Sequence, residues 1–197
     1  MEPVIFSADI KNSISEILSE VSFSRLVVLT DLNTQRHCLS IVQEILPAST
    51  VFISVAAGEI HKNLDTCSLI WSRMTEEALD RKALMINLGG GVIGDMGGFC
   101  ASIYKRGIRF INCPTTLLSQ VDASVGGKLG IDFKGLKNHL GVFNEPETVV
   151  IAPEFLKTLP QAELRSGYAE IIKHGLIRDK DYFQKLHTQY WENQDWE

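Results

Sequence analysis

The residues with the clearest chemical potential are three consecutive glycines at 89–91, followed by Gly94 and Asp95. They come directly after the apolar run 84–88 and before a stretch of small residues, which predicts a strand, a tight turn and a helix. Glycine lets a ligand approach the backbone closely, and a helix start offers unpaired N–H groups and a positive dipole end. The stretch therefore predicts a binding site for a phosphate or pyrophosphate.

The same glycines have a structural alternative. Gly89, Gly91 and Gly94 satisfy G-x-G-x-x-G, a pattern that is weak by itself. The acid that binds ribose about 20 residues further on is missing, because no Asp or Glu occurs between Asp95 and Asp122. The stretch is therefore either a turn that packs a helix against a sheet or a nucleotide site unlike the ordinary dinucleotide fingerprint.

A second candidate site lies near the end of the sequence. Glu170 precedes Lys173 by three residues and His174 by four, so each pair can share one face of a helix. A carboxylate beside apolar neighbours can ligate a metal, but the spacing alone favours a surface ion pair. One carboxylate and one imidazole do not make a metal site.

Short apolar runs that end in polar or glycine clusters predict the elements that carry these residues. Such runs occupy 26–29, 51–55, 84–88 and 110–113, with a later one at 148–151, and helices are expected at 34–46, from Asn63 or Asp65, and from Gln161. Residues 126–141 are expected to be rich in loops. The alternation predicts an α/β fold with a mainly parallel sheet, in which ligands gather at the carboxyl ends of the strands. Those ends carry Asp31, Asn33, Glu59, Gly91, Asp95, Thr115 and Thr116.

Composition excludes several classes of protein. The net charge of −5 argues against a general nucleic-acid binder, and no apolar run approaches membrane-spanning length. The start lacks the features of a signal peptide. Four widely spaced cysteines without C-x-x-C indicate reduced, buried thiols in a cytoplasmic protein.

Seven motifs in a fixed order resemble the 3-dehydroquinate synthase family. The resemblance runs from about Leu26 to Asp179. The motifs are Gly58-Glu59-x-x-Lys62, G-G-G-V-I-G-D at 89–95, Y-K-R-G at 104–107, P-T-T-L-L at 114–118, V-D-A-S-V-G-G-K at 121–128, Lys137-Asn138 and A-E-I-I-K at 169–173.

The resemblance implies a Rossmann-like sheet flanked by helices that binds NAD, at 1–155, followed by the start of an all-helical metal and substrate domain, at 156–197. It implies a divalent metal, Zn or Co, and the substrate 3-deoxy-D-arabino-heptulosonate 7-phosphate. In the implied reaction NAD transiently oxidises a ring hydroxyl, phosphate is eliminated, NADH restores the alcohol, and ring opening with aldol closure gives 3-dehydroquinate.

The strand ends and the resemblance together define the expected site residues. Catalytic or substrate-binding roles are expected for Asp122, Lys128, Asn138, Lys173 and Arg106, and a metal-ligand role for Glu170. Arg106 matches an arginine that reaches the partner subunit's site, which implies a homodimer. Cofactor contacts are expected from Asp31, Asn33, Gly58, Glu59, Lys62, Gly91, Val92, Ile93, Gly94, Asp95, Thr115, Thr116, Lys128, Lys137, Phe155, Leu156, Lys157 and Thr158.

Two departures from the family pattern have consequences. Ala57 stands where the family often has Asp, which predicts one weaker cofactor contact. The family's two histidine ligands would lie beyond Glu197, and neither His174 nor His187 matches them. Since a catalytic zinc site normally has three protein ligands, we expect this chain alone to be inactive or nearly so.

Two alternatives remain open at this point, and a third is disfavoured. One is a related sugar-phosphate cyclase of the deoxy-inosose or valiolone synthase type, which shares the fold, NAD and metal. Another is a non-catalytic NAD-binding module. The third, an iron- or zinc-dependent polyol dehydrogenase, does not need the lysines and amide at 128, 137 and 138.

Overall fold

The computed structural model of the protein describes residues 4–123 and 126–189. Trp191 and Trp196, the last residues of the expected helical part, lie outside them. Eight strands occur in the described ranges: β1 (Val4–Phe6), β2 (Leu26–Asp31), β3 (Val51–Val55), β4 (Leu84–Gly89), β5 (Arg109–Pro114), β6 (Lys128–Phe133), β7 (Leu136–Phe143) and β8 (Val149–Ile151).

Seven α-helices accompany these strands within the same ranges: α1 (Ile10–Glu20), α2 (Leu32–His37), α3 (Leu39–Val42), α4 (Leu64–Glu76), α5 (Gly91–Ile103), α6 (Gln161–Arg178) and α7 (Lys180–Gln189). Short 3-10 turns cover Gln43–Ile45, Glu59–His61, Tyr104–Arg106 and Pro153–Thr158, and a π-helical turn covers Ser119–Ala123.

The predicted parallel sheet is confirmed. Its order is β1-β8-β5-β4-β2-β3, and each neighbouring pair of strands is parallel in the described part of the chain. β2 and β4 are buried almost throughout, as expected for central strands covered on both faces. The fold is therefore a Rossmann-like α/β architecture.

The predicted helix at 34–46 is wrong as a single element. Asp31 and Thr34 form a capping box, so α2 begins at Leu32 rather than at Thr34. The helical path then breaks at Cys38, and a second short helix and a 3-10 turn complete the segment. The sequence pattern did not reveal the break.

The expected loop-rich stretch at 126–141 is also wrong, because most of it forms the antiparallel hairpin β6–β7. Leu129 and Ile131 are buried, and Leu140 and Val142 pack against the same core. Glycines and lysines between these apolar residues concealed their alternation. At Gly98 an added Cβ would collide with Leu129, so the small residues of α5 let the hairpin lie directly on the helix.

Two apolar cores cover the two faces of the sheet. One joins the sheet to α4, α5 and the hairpin, and the other joins it to α1, α3 and the 3-10 turn Gln43–Ile45. All four cysteines of the sequence lie in the described part, unpaired and buried as expected. Burial raises the pKa of Cys38 to about 11 and that of Cys113 to about 12. Among the described helices, each is too short or too polar to cross a membrane.

Candidate active site

The carboxyl edge of the sheet gathers the loops that the sequence singled out. Asp31 ends β2, the turn at Glu59–His61 follows β3, and the glycines at 89–91 follow β4. The turn at Pro153–Thr158 follows β8. Because the strands are parallel, these loops emerge on one side of the sheet, where ligands bind in open α/β folds.

The glycine turn combines packing with open space. An added Cβ at Gly89 would overlap Ile93, so packing requires this glycine, and one at Gly90 would make a tight contact of 3.0 Å with Thr116 Cγ2. Gly94 differs, since a Cβ there would meet no described heavy atom within 4 Å. Gly89, and less strictly Gly90, therefore serve to pack α5 against the sheet, whereas the first turn of α5 leaves room for a ligand beside Gly94.

The most tightly bonded polar group is Lys62 with Asp95 and Asn138, here called the lysine cluster. Lys62 Nζ lies 2.5 Å from Asp95 Oδ2 and donates a hydrogen bond to Asn138 Oδ1 at 2.7 Å. The Lys62 side chain is only 4% exposed and that of Asp95 20%. The segment after β3, the helix α5 and the strand β7 thus meet at one ammonium group.

Burial dominates the electrostatics of this cluster. Loss of solvent raises the pKa of the Asp95 carboxyl above its ordinary value, and the ammonium of Lys62 lowers it only in part. The negative charge of the Glu59 carboxylate also raises the pKa of Asp95. Glu59 has a cation of its own, because Lys137 Nζ lies 3.2 Å from its Oε1 on the exposed side of the hairpin.

Several expected cofactor contacts have structural roles in this chain. Asp31 Oδ1 accepts from the backbone N–H groups of Asn33 and Thr34 at 2.8 Å, so it caps α2. Ile93 and Phe155 are buried in the two apolar cores, which leaves only their backbones for a ligand. Their cofactor roles stay predictions.

The expected cofactor residues also differ in exposure. Gly91, Val92, Gly94, Thr116 and Leu156 are half-buried at this edge, and Gly58, Lys157 and Thr158 are exposed. Thr115 is buried, and its N–H donates to Gly89 O at 3.0 Å. All of these residues follow the carboxyl ends of strands and so lie at the same edge of the sheet.

A second cluster, here called the carboxylate cluster, consists of Asp122, Glu170 and His174. His174 Nε2 lies 3.5 Å from Glu170 Oε1 and 3.8 Å from Asp122 Oδ1. One ligand atom from each residue lies within 4.8 Å of the others. Lys173 also contacts Glu170 Oε1, and this hydrogen bond raises the pKa of the lysine.

Close packing brings the two parts of the carboxylate cluster together. Asp122 belongs to the turn Ser119–Ala123 that follows β5, whereas Glu170 and His174 lie on α6. At Gly167 an added Cβ would lie 2.5 Å from Leu118 N, so the glycine lets α6 approach the chain just before this turn. Tyr168 is buried and donates to Leu186 O at 2.9 Å, which fixes α7 on α6.

Two expected catalytic residues lie away from these clusters. Arg106 is exposed after the C-terminal end of α5, at the edge of the sheet opposite the glycine turn. A helix of this length spans about 20 Å, so Arg106 does not reach its own chain's site. Lys128 is exposed at the open end of the hairpin, paired with Phe143, whereas Asn138 lies towards the hairpin turn.

Sequence reasoning missed three features of the site. It did not place Asp122 beside His174, although the E-x-x-x-H spacing was visible. It did not identify Asn138 as an acceptor for Lys62. It also overlooked Gln120, whose Nε2 donates to Pro114 O and Ala152 O, both at 3.0 Å, and so ties the turn to two strand ends.

A parallel sheet with a glycine turn and polar clusters at its carboxyl edge defines a Rossmann-like α/β protein with a candidate ligand site at that edge. The family model described as "3-dehydroquinate synthase N-terminal" matches residues 52–166, more than half of the chain. The chain belongs to the 3-dehydroquinate synthase family.

Individual relatives agree with this family. A 3-dehydroquinate synthase from Parabacteroides distasonis is 43% identical over 187 residues, which are 94% of this chain and 53% of that protein. One from Sulfurovum sp. is 51% identical over 152 residues, which are 77% of this chain and 43% of that protein. The chain thus spans about half the length of the curated relatives it matches.

A solved structure supports the fold. The 2-epi-5-epi-valiolone synthase ValA from Streptomyces hygroscopicus, with NAD+ and Zn2+ bound, superposes with a TM-score of 0.81 and 29% identity. The match covers 92% of this chain and 51% of that one.

Proposed function

We propose that this chain is the NAD-binding part of a 3-dehydroquinate synthase, at 1–155, with the first helices of its metal and substrate part, at 156–197. The whole enzyme would be a lyase that converts 3-deoxy-D-arabino-heptulosonate 7-phosphate into 3-dehydroquinate and phosphate. The observation that carries the proposal is the meeting of Lys62, Asp95 and Asn138 at the carboxyl edge of the sheet, in a chain of this family.

The first turn of α5 is proposed to hold the pyrophosphate of NAD. Its N-terminal N–H groups and dipole favour an anion, and the open space at Gly94 admits one. Glu59 would accept hydrogen bonds from ribose hydroxyl groups, with Lys137 beside it to balance the charge. When bound, NAD supplies the hydride acceptor and donor of the reaction.

Asn138 and the lysines of the same hairpin are proposed to bind the sugar acid phosphate. Asn138 is exposed, and Lys128 and Lys137 are exposed on the same hairpin, where cations suit a phosphate or carboxylate. Arg106 lies at the opposite edge of the sheet from this site, so it would act in the site of a partner subunit. A homodimer is therefore part of the proposal.

The carboxylate cluster fits a divalent metal ion. Two carboxylates and an imidazole are suitable donors for Zn or Co, and donors around one such ion lie about 3.3 Å apart, near the observed 3.5 and 3.8 Å. Glu170 would be the ligand, with Asp122 and His174 close enough to join it. A metal there would polarise a substrate hydroxyl for hydride loss. Lys173 would have to leave Glu170 when the metal binds, and is then free to meet the substrate.

One alternative has support of its own. The structural similarity to a valiolone synthase suits a related sugar-phosphate cyclase, but the identity of 29% is lower than the 43% shared with a dehydroquinate synthase.

The unpaired, buried thiols suit the proposed cytoplasmic location.

Calorimetric titration of the chain with NAD+ tests the proposal. We expect one molecule of NAD+ to bind per chain. The Gly94→Val variant should fold, because its side chain enters open space, but should lose NAD+ binding since it fills the cradle. A folded wild-type chain that does not bind NAD+ would overturn the proposal. A turnover assay on the same sample tests the expectation that this chain alone is inactive.

A further inference from the structure

Lys62 reaches its partners from a backbone that is fixed on both sides. Its N–H donates to Glu59 O at 2.9 Å, and its carbonyl accepts from Asp132 N at 2.8 Å. The next residue, Asn63, caps α4 by accepting from Thr66 N at 3.0 Å. The side chain therefore leaves a rigid corner between β3 and α4.

Asn138 is held in an unusual conformation at the other end of this contact. Its φ is +49°, in the left-handed region that non-glycine residues rarely adopt, although Asn tolerates it better than most. Its N–H donates to Asp132 Oδ1 at 2.8 Å, and its Oδ1 accepts from Lys62 at 2.7 Å. Asp132 and Lys62 thus fix the backbone and the side chain of Asn138 separately.

The contact with Lys62 also decides which end of the Asn138 amide faces outward. An ammonium group only donates hydrogen bonds, so it must meet the amide oxygen. The two N–H donors on Nδ2 are then left for another partner. They suit an oxygen acceptor, such as a hydroxyl, carboxylate or phosphate of a ligand.

We propose that Lys62 is a positioning residue, which orients Asn138 and, through Asp95, joins the hairpin to α5. Its buried ammonium contacts two side chains, one on α5 and one on β7, that are 33 and 76 residues away in sequence. The proposal rests on the proposed function only for the identity of the ligand that Asn138 meets. It assigns Lys62 a task other than direct contact with the cofactor.

Hydrogen–deuterium exchange of the whole chain tests the positioning without any ligand. In Lys62→Met we expect exchange in residues 136–143 to accelerate by about tenfold or more relative to residues 26–31, which serve as the internal reference. Asn138→Asp keeps an acceptor for Lys62 and tolerates the left-handed backbone, so its exchange should stay within about twofold of wild type. Lys11→Met, which removes an exposed ion pair with Glu44, is the matched control and should change neither region.

Ligand binding separates orientation from stability. Titration with the heptulosonate phosphate in the presence of NAD+ should show at least a tenfold loss in both Lys62→Met and Asn138→Asp. The second variant loses the outward N–H donors while its hairpin stays protected, a pattern that a merely structural role would not produce. If wild type binds neither ligand, the proposed function fails, but the exchange experiment still tests the positioning.

Two outcomes would overturn the inference. One is unchanged exchange in 136–143 of Lys62→Met, and the other is full substrate affinity in Asn138→Asp. If Lys62→Met does not fold, Asn138→Gly replaces it, because glycine accepts the φ of +49° and removes only the amide. Its hairpin should then exchange faster, and an unchanged rate would equally refute the role of Lys62.

Discussion

The lysine cluster and the carboxylate cluster both follow the carboxyl ends of strands, but they differ in how their charges are satisfied. In the lysine cluster a nearly inaccessible ammonium has a carboxylate and an amide oxygen within 2.7 Å. In the carboxylate cluster His174 Nε2 lies 3.5 Å from Glu170 and 3.8 Å from Asp122, and Asp122 and His174 are about half exposed. The first cluster is closed, whereas the second is open to another cation.

The two clusters therefore serve the site in different ways. A buried charge that has its partner stabilises one arrangement of the loops, and removing one partner is costly. Neighbouring carboxylates without a full complement of cations favour whatever positive group arrives, and Lys173 is the group present here. The first cluster therefore builds the site, and the second is suited to bind.

The largest expected effect is the loss of stability in Lys62→Met. Removing the ammonium leaves Asp95 buried without its cation, which should lower the free energy of unfolding by about 3–5 kcal/mol. Denaturant unfolding measures this loss. The double variant Lys62→Met/Asp95→Leu should recover much of it, because no buried charge remains. Equal instability of the single and double variants would contradict the electrostatic cause.

The loss in Lys62→Met should depend on pH. Burial already raises the pKa of Asp95, and Lys62 opposes that rise, so the variant raises the pKa further. An acid whose folded pKa is raised stabilises the fold below its unfolded value, near 3.8, and this contribution is lost as pH rises. The difference in stability between wild type and variant should thus grow as pH rises above about 3.8, by no more than about 1.4 kcal/mol per unit of extra shift. If the free energies of unfolding of wild type and variant changed in parallel with pH, this prediction would be contradicted.

In the carboxylate cluster, Glu170→Gln should weaken Co²⁺ binding by at least about tenfold, since even outer-shell changes cost that much at metal sites. The visible absorption of Co²⁺ reports binding independently of activity. Asp122→Asn and His174→Gln should have smaller effects of the same sign. His37→Gln, on exposed α2, is the control. Unchanged affinity in Glu170→Gln would show that this cluster is not the metal site.

Lys173→Met should act in the opposite direction. The lysine competes for Glu170 Oε1, so its removal should tighten Co²⁺ binding severalfold. The same titration measures the change. Weaker binding in this variant would mean that Lys173 supports the site rather than occupying it.

The smallest expected effect belongs to Lys137→Met. This lysine is 74% exposed, so its pair with Glu59 should contribute no more than about 0.5 kcal/mol to stability. Thermal unfolding should not distinguish the variant from wild type. A large loss of stability in this variant would show that exposure does not explain the different contributions of Lys137 and Lys62.

The sequence predicted much of the fold because its signals there are local. Buried strands such as 51–55 and the helix beginning after Asn63 follow from runs and caps within a few residues. It failed at 126–141, where alternating apolar residues lie among glycines, and at Cys38, where a helix breaks without a breaker. Both errors concern how a segment packs rather than which residues it contains.

The order of the motifs in the sequence was enough to identify the family and the loops that carry the site. The contact of Lys62 with Asn138, the approach of Asp122 to His174 and the place of Arg106 on the opposite edge became visible in the three-dimensional structure alone. These features could not be read from the sequence because the residues involved are far apart along the chain. Spacings of three and four residues predict neighbours on one helix, but contacts across 33 or 76 residues depend on how the sheet, the hairpin and α6 pack together.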